Sequence, residues 1–156
     1  LVEKSGVQFL WQTGKYYHAG IIEQLKGKEL PNLKVTDFIT DMGAAYRAAD
    51  LVISRAGASS ISEFCLIGKP VILVPSPNVA EDHQTKNALA LANRDAALYV
   101  KDADAPATLL RLAVETVNDD AKLKSLSENV LKLALPDSAE IIAKEVIKLA
   151  QTNSTH

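Results

Sequence analysis

The chain has 156 residues, of which 47% are hydrophobic and 23% charged, and its formal net charge is -2. This composition is that of one globular domain, and the lack of a basic stripe and of many aromatic residues argues against a nucleic-acid-binding groove. No apolar run approaches the roughly 20 residues that a membrane-spanning helix needs. We therefore expect a soluble, cytoplasmic domain. Its single cysteine, Cys65, cannot form an internal disulfide, and its apolar neighbours predict a buried thiol.

Short apolar segments alternate with helical ones over the first two thirds of the chain. The strands are rich in β-branched residues and apolar on both faces, which is typical of a parallel sheet covered by helices on both sides. We predict a doubly wound, Rossmann-like α/β fold in which Phe9 and Trp11 are core residues. In chain order the predicted elements are a strand at 7–11, a helix at 16–25, a strand at 33–39, a helix at 42–49, a strand at 51–54, a helix at 59–67 ended by Gly68, a strand at 71–74, a helix at 83–93 and a strand at 97–100.

Beyond Lys101 the pattern becomes helical only. Three apolar stripes predict three helices that pack on the sheet, with a break and cap at 135–138 before the last one. We expect the domain to span 1–151 and residues 152–156 to form a disordered tail. Because the chain opens with Leu1, we expect it to be a piece of a larger protein. The three apolar stripes that predict the helices beyond Lys101 are Leu109, Leu112, Ala113 and Val117; Leu123, Leu126, Val130 and Leu133; and Ile142, Val146 and Leu149.

Three loops follow predicted strands, where open α/β sheets bind their ligands. They are the loop at 38–41, the turn at 55–60 and the proline-rich loop that leads to the polar residues His83, Gln84 and Asn87. Since parallel strands end at the same edge of a sheet, we expect these loops to converge in one cleft. Backbone N–H groups, a carboxylate and two carboxamides in one cleft suit a nucleotide sugar.

The turn before the helix at 59–67 has the layout of an anion site. A helix leaves its first N–H groups unpaired and carries partial positive charge there, so it can hold a phosphate without a lysine. The small residues Gly57, Ala58, Ser59 and Ser60 allow a ligand to approach the backbone. Glu63, one helical turn further on, can accept the two hydroxyls of a ribose. The same spacing from Ser60 to Glu63 also predicts a capping box, and spacing alone leaves both interpretations open.

Other polar residues have alternative interpretations. Arg55 pairs with a phosphate or holds its turn by bonding carbonyls, and we favour the second role. His18 is a candidate general base, although a surface histidine at a helix start is the simpler interpretation. His83 either touches the ligand or is a polar residue that begins a helix. The pair at 102 and 104 resembles a metal motif, but its place after the last strand favours a solvated approach to a helix, and we expect no metal site.

Several segments together resemble the C-terminal, donor-binding half of the MurG family, which transfers N-acetylglucosamine to lipid I in peptidoglycan synthesis. They are FLWQTG, VTDFITDMGAAYRAADLVISRAG, the overlapping RAGASSISE, GKPVILVPSP and EDHQTKNALALA, in this order. The resemblance implies the second of the two Rossmann-like domains of a GT-B glycosyltransferase. It also implies that UDP-N-acetylglucosamine is the donor. Its implied contacts are Ile39 with uracil, Ala58, Ser59, Ser60, Ile61 and Ser62 with the phosphates and ribose, Glu63 with the ribose hydroxyls, and Gln84 and Asn87 with hydroxyls of the transferred sugar.

The chain departs from this family pattern in two ways. The family's first strand and glycine-rich loop should precede Val7 and are missing, which predicts a gap at the centre of the sheet. The N-terminal domain is also missing, and in the family it holds the lipid I site, the membrane-facing patch and the candidates for the general base. We therefore expect this chain alone to bind donor weakly and to be inactive.

For the whole protein, the resemblance implies an inverting transfer to the 4-hydroxyl of N-acetylmuramic acid in lipid I, which gives lipid II. It implies no cofactor, and it places the enzyme at the cytoplasmic face of the bacterial inner membrane. The alternatives are another UDP-sugar enzyme of this architecture, such as a UDP-N-acetylglucosamine 2-epimerase, or a non-enzymatic nucleotide-sugar-binding module.

Overall fold

The computed structural model describes residues 5–78 and 83–134, and within them strands and helices alternate as predicted. A 3-10 turn at Asp102–Asp104 leads into two final helices. Strand β2 is shorter than predicted, because the chain leaves the sheet after Thr36. The elements are β1 Phe9–Gln12, α1 Lys15–Leu25, β2 Leu33–Thr36, α2 Met42–Ala48, β3 Val52–Ser54, α3 Ala58–Ile67, β4 Val71–Leu73, α4 His83–Ala92, β5 Leu98–Tyr99, α5 Ala105–Val117 and α6 Asp120–Lys132.

Some predictions fall outside the described residues. These are the break and cap at 135–138, the third helical stripe and the tail at 152–156. Within the two described ranges, no helix combines the length and the apolar character that crossing a membrane requires.

The strands form two separate parallel sheets. Strand β1 pairs with β2 from Phe9 opposite Leu33 onward, and β3, β4 and β5 form a second sheet in that order. In the described residues no ladder joins β1 to β3. In a doubly wound order, the strand that the family pattern places before β1 lies between β1 and β3. The split therefore agrees with the gap that the sequence predicts at the sheet centre.

The unpaired edges leave apolar side chains exposed. Trp11 is 43% exposed, so the prediction that it belongs to the core is wrong, whereas Phe9 is partly buried. The physical reason is that β1 has a strand neighbour on one side only, and burial of a strand residue depends on its neighbours. Ile53 on β3 is also 43% exposed.

The core of the second sheet is built around β4. Val71, Ile72 and Leu73 are fully buried, and because successive strand residues point to opposite faces, they pack into two clusters. Val71 and Leu73 pack with Phe64 of α3 and with residues of α4 and α6. Ile72 packs on the other face, against residues of α5. The prediction of helices on both faces is thus confirmed for this sheet.

Helix α3 ends where the sequence predicts, at Gly68 in the left-handed conformation (φ 65°, ψ 33°). Helix α6 packs on this end, because Ser127 Oγ donates a 2.6 Å hydrogen bond to the carbonyl oxygen of Gly68. Cys65 on α3 is buried, as predicted. Burial raises the pKa of its thiol above the ordinary value.

Candidate functional site

The N-terminus of α3 presents backbone N–H groups that no acceptor among the described residues occupies. Gly57 is the N-cap, in an extended conformation, and no side chain caps the helix. The first intrahelical hydrogen bond runs from the Ile61 N–H to the Gly57 carbonyl oxygen at 3.0 Å. The N–H groups that precede it, those of Ala58, Ser59 and Ser60, have no hydrogen-bond acceptor among the described residues. An anion can therefore bind at this end of the helix without displacing any group of the residues that the structure describes.

The structure decides against a capping box in this turn. Ser60 is the third residue of α3, not its N-cap. Glu63 is exposed and forms no hydrogen bond with the described residues, so its carboxylate is open to a ligand. Ser62 Oγ donates to the Ala58 carbonyl oxygen at 3.0 Å. Ile61 is 8% exposed, and its side chain belongs to the core rather than to the rim of the turn.

Two carboxamides of α4 hold the residue just before this turn. Gln84 Oε1 accepts hydrogen bonds from the Ala56 N–H at 3.3 Å and from the Ser76 N–H at 2.9 Å. Asn87 Nδ2 donates to the Ala56 carbonyl oxygen at 3.3 Å. Residues three apart on a helix share one face, which lets both side chains reach the backbone of the same residue, one at its N–H and the other at its carbonyl oxygen. The loops after β3 and β4 and the start of α4 therefore converge, as predicted for these two of the three loops. The hydrogen bonds themselves were not predicted. His83 is exposed at the first position of α4.

Arg55 holds its turn by bonding carbonyl oxygens, which is the one of its two predicted roles that we favoured. Its Nη1 donates to the carbonyl oxygens of Val74 and Pro75, both at 3.3 Å, and pairs with Asp102 Oδ1 at 2.6 Å. The pair is half-exposed, and such pairs contribute roughly 0.2–1 kcal/mol. For Asp102 the sequence pattern predicted only a solvated approach to a helix, and its pairing with Arg55 was not predicted. The available signal was its position directly after β5, at the edge of the sheet where Arg55 follows β3.

The loop that contains Ile39 lies at the carboxyl ends of β1 and β2. The Ile39 N–H donates to Gln12 Oε1 at 2.9 Å, while its carbonyl oxygen accepts no hydrogen bond from the described residues. Asp41 caps α2 by accepting from the Ala44 N–H at 2.9 Å.

Helix α2 follows the Ile39 loop in the chain and packs against α3 through Tyr46. Tyr46 on α2 packs among the residues around Phe64. Burial and, to a smaller extent, the Glu63 carboxylate raise the pKa of the Tyr46 hydroxyl. The Glu63 carboxylate on α3 therefore lies close enough to α2 to act on the Tyr46 hydroxyl.

The two remaining predictions concern a base and a metal. His18 is partly buried near the start of α1, and its Nδ1 lies 3.2 Å from Thr13 Oγ1. The part of the chain that the structure describes contains no group of three or more His, Cys, Asp or Glu side chains that could hold a metal ion.

Comparison with known proteins gives a consistent result. Residues 1–144 match the family model of the glycosyltransferase family 28 C-terminal domain. The chain is 67% identical over 153 residues to a protein of Bacteroides thetaiotaomicron named UDP-N-acetylglucosamine--N-acetylmuramyl-(pentapeptide) pyrophosphoryl-undecaprenol N-acetylglucosamine transferase, covering 97% of this chain and 41% of that protein. It is 71% identical over 146 residues to the protein of the same name from Bacteroides fragilis, covering 93% of this chain and 38% of that protein. The chain thus spans about 40% of the length of these curated relatives.

Two solved structures are similar to this fold. The crystal structure of Acinetobacter baumannii MurG matches with a TM-score of 0.72 and 27% identity, over 94% of this chain and 46% of that chain. A glycosyltransferase of kitacinnamycin matches with a TM-score of 0.58 and 23% identity, over 81% of this chain and 30% of that chain. At that identity the second match bears on the fold alone.

Proposed function

Because this chain belongs to the glycosyltransferase family 28 C-terminal domain family, we propose that it is the donor-binding half of an inverting N-acetylglucosaminyltransferase. The reaction transfers N-acetylglucosamine from its UDP ester to the 4-hydroxyl of N-acetylmuramic acid in lipid I, and the product is lipid II. The names of the relatives support this donor and this acceptor. The same names give no support to an epimerase or to a non-enzymatic binding module.

The observation that carries the proposal is the set of open N–H groups at the start of α3. In the proposed complex, the N–H groups of Ala58, Ser59 and Ser60 bind the pyrophosphate, and Glu63 accepts the ribose hydroxyls. The carbonyl oxygen of Ile39 accepts the N3–H of uracil, because its own N–H is bonded to Gln12. Gln84 Nε2 and Asn87 Oδ1 have no partner among the described residues and are available to hydroxyls of the sugar.

These groups assist the reaction by stabilising the leaving group. When the acceptor hydroxyl attacks the anomeric carbon, the bond to the donor phosphate breaks and UDP leaves with additional negative charge. The N–H groups of α3 are already oriented toward that charge, so no reorganisation is needed during the reaction. The helix dipole alone contributes about 0.3–2 kcal/mol in such positions. The attack comes from the face opposite UDP, which inverts the anomeric configuration.

The acceptor and the general base belong to a second, N-terminal half of the enzyme. The proposal places that half against lipid I at the cytoplasmic face of the inner membrane, as a peripheral contact. The 156-residue chain alone then binds donor weakly and does not catalyse transfer.

Calorimetric titration tests the donor class. The full-length protein is titrated with UDP-N-acetylglucosamine, UDP and ADP, and we expect both uridine ligands to bind more tightly than ADP. Equal binding of UDP and ADP, or no binding, would contradict the proposal. Incubation with donor and a lipid I analogue should release UDP and extend the acceptor, whereas conversion of the donor sugar without an acceptor would favour an epimerase.

A further inference from the structure

The backbone of Ala56 is held on both sides by side chains from one face of α4. Its N–H donates to Gln84 Oε1 and its carbonyl oxygen accepts from Asn87 Nδ2, each at 3.3 Å. Ala56 is fully buried, so water cannot replace either partner easily. We call these two contacts the Ala56 clamp.

The clamp acts on the part of the chain that sets the direction of α3. Ala56 is followed by Gly57, the N-cap, and then by the three residues whose N–H groups are open. The space beside the Gly57 Cα is open, because a Cβ placed there would meet nothing within 4 Å. The two hydrogen bonds from Ala56 to α4 therefore hold the backbone in place immediately before the N-cap of α3.

The clamp also fixes the orientation of both carboxamides. The Ala56 and Ser76 N–H groups can only donate, so the Gln84 atom that faces them is its carbonyl oxygen, and Nε2 points elsewhere. The Ala56 carbonyl can only accept, so Asn87 faces it with Nδ2, and Asn87 Oδ1 remains available to accept a hydrogen bond. Toward a ligand, Gln84 offers a donor and Asn87 an acceptor.

We infer that Gln84 and Asn87 are positioning residues for the phosphate-binding turn, in addition to being contacts for the sugar. This inference rests on the proposed function. It differs from a sugar contact alone in one measurable respect: the clamp must affect binding of UDP, which has no sugar to contact these side chains.

The test compares UDP with UDP-N-acetylglucosamine in the full-length protein. The variants are Gln84→Met and Asn87→Leu, which keep side-chain size and remove the hydrogen bonds. The control is Lys86→Met on the exposed face of the same helix. We expect both clamp variants to weaken UDP about tenfold, since a buried backbone group loses its partner, and to weaken the nucleotide sugar at least as much. The control should bind both ligands like the wild type.

Three results distinguish the possibilities. If only the nucleotide sugar weakens, or neither ligand does, the clamp has no positioning role. If the melting temperature falls while both affinities of the folded variant are unchanged, the contacts are structural only, so affinities are measured below each melting transition. Failure of the wild type to bind UDP would instead overturn the proposed function.

A measurement on the wild type does not depend on how the variants fold. Without ligand, the Ala56 amide hydrogen should exchange slowly with solvent, because it is buried and bonded to Gln84. Fast exchange at Ala56 would overturn the clamp directly.

Discussion

The ring of Tyr46 meets the ring of Phe64 edge to face, with centroids 5.2 Å apart and planes inclined by 71°. Tyr46 belongs to α2, which follows the Ile39 loop, and Phe64 to α3, directly after Glu63. Edge-to-face pairs of this kind contribute about 0.5–1.5 kcal/mol beyond the area that they bury. The contact joins the base-facing and phosphate-facing parts of the proposed site.

The Tyr46 hydroxyl should make stability depend on alkaline pH. Burial and the Glu63 carboxylate raise its pKa above the ordinary value of 10.0 in the folded state. Because the pKa is higher in the folded state, the neutral Tyr46 hydroxyl contributes to the free energy of unfolding. This contribution is fully present below pH 10 and is lost as the pH rises through the folded-state pKa. We expect the melting temperature of Tyr46→Phe, relative to wild type, to improve from pH 9 to pH 11. A constant difference across that range would contradict the shift.

Replacing Glu63 separates binding from stability. The side chain is exposed and forms no hydrogen bond with the described residues, so Glu63→Ala should leave the melting temperature of the full-length protein nearly unchanged. Loss of a charge-assisted contact to the ribose should weaken UDP-N-acetylglucosamine about tenfold. Glu63→Gln should retain part of the affinity. A variant that melts earlier but binds donor normally would show a structural role for Glu63 instead.

Gly68 should be intolerant of a side chain. Its φ of +65° is strained for other residues, and a Cβ built there lies 2.6 Å from Leu131 Cγ. Gly68→Ala should therefore lower the free energy of unfolding by about 1–3 kcal/mol. The control is Gly20→Ala within α1, where a Cβ meets nothing within 4 Å and φ is not positive. That change should stabilise by about 0.4–1 kcal/mol, and similar effects at both sites in chemical denaturation would contradict this account.

The lack of a ladder between β1 and β3 in the described residues predicts the effect of adding a strand. A chain extended at its start by about 20 residues of its natural sequence has enough length for a strand and a loop. We expect the extended chain to melt at a higher temperature than the 156-residue chain, because the added strand pairs with both sheets. Tryptophan fluorescence should also report burial of Trp11. An unchanged melting temperature together with an unchanged Trp11 signal would count against the missing strand.

The order of elements was predictable because local signals determine it. Gly68 ends α3, and the alternation of short apolar strands with helices persists in the structure. The burial of Trp11 was not predictable, since it depends on a neighbouring strand rather than on its own sequence. The same is true of the side-chain contacts, because Gln84 and Ala56 are 28 positions apart in the chain. Sequence reasoning identified Gln84, Asn87 and Arg55 as important residue types, but only the fold shows which atoms they bind.

The separation of the two sheets should lower the affinity of the 156-residue chain for a nucleotide. The carbonyl of Ile39 lies in the loop after β2 of one sheet, and the N–H groups of α3 follow β3 of the other, so a nucleotide that reaches both must hold them at a fixed spacing. We expect the free-energy cost of ordering the two sheets against each other to oppose binding. We expect the affinity of the 156-residue chain to understate the strength of the individual contacts, and bound UDP to raise the cooperativity of its unfolding.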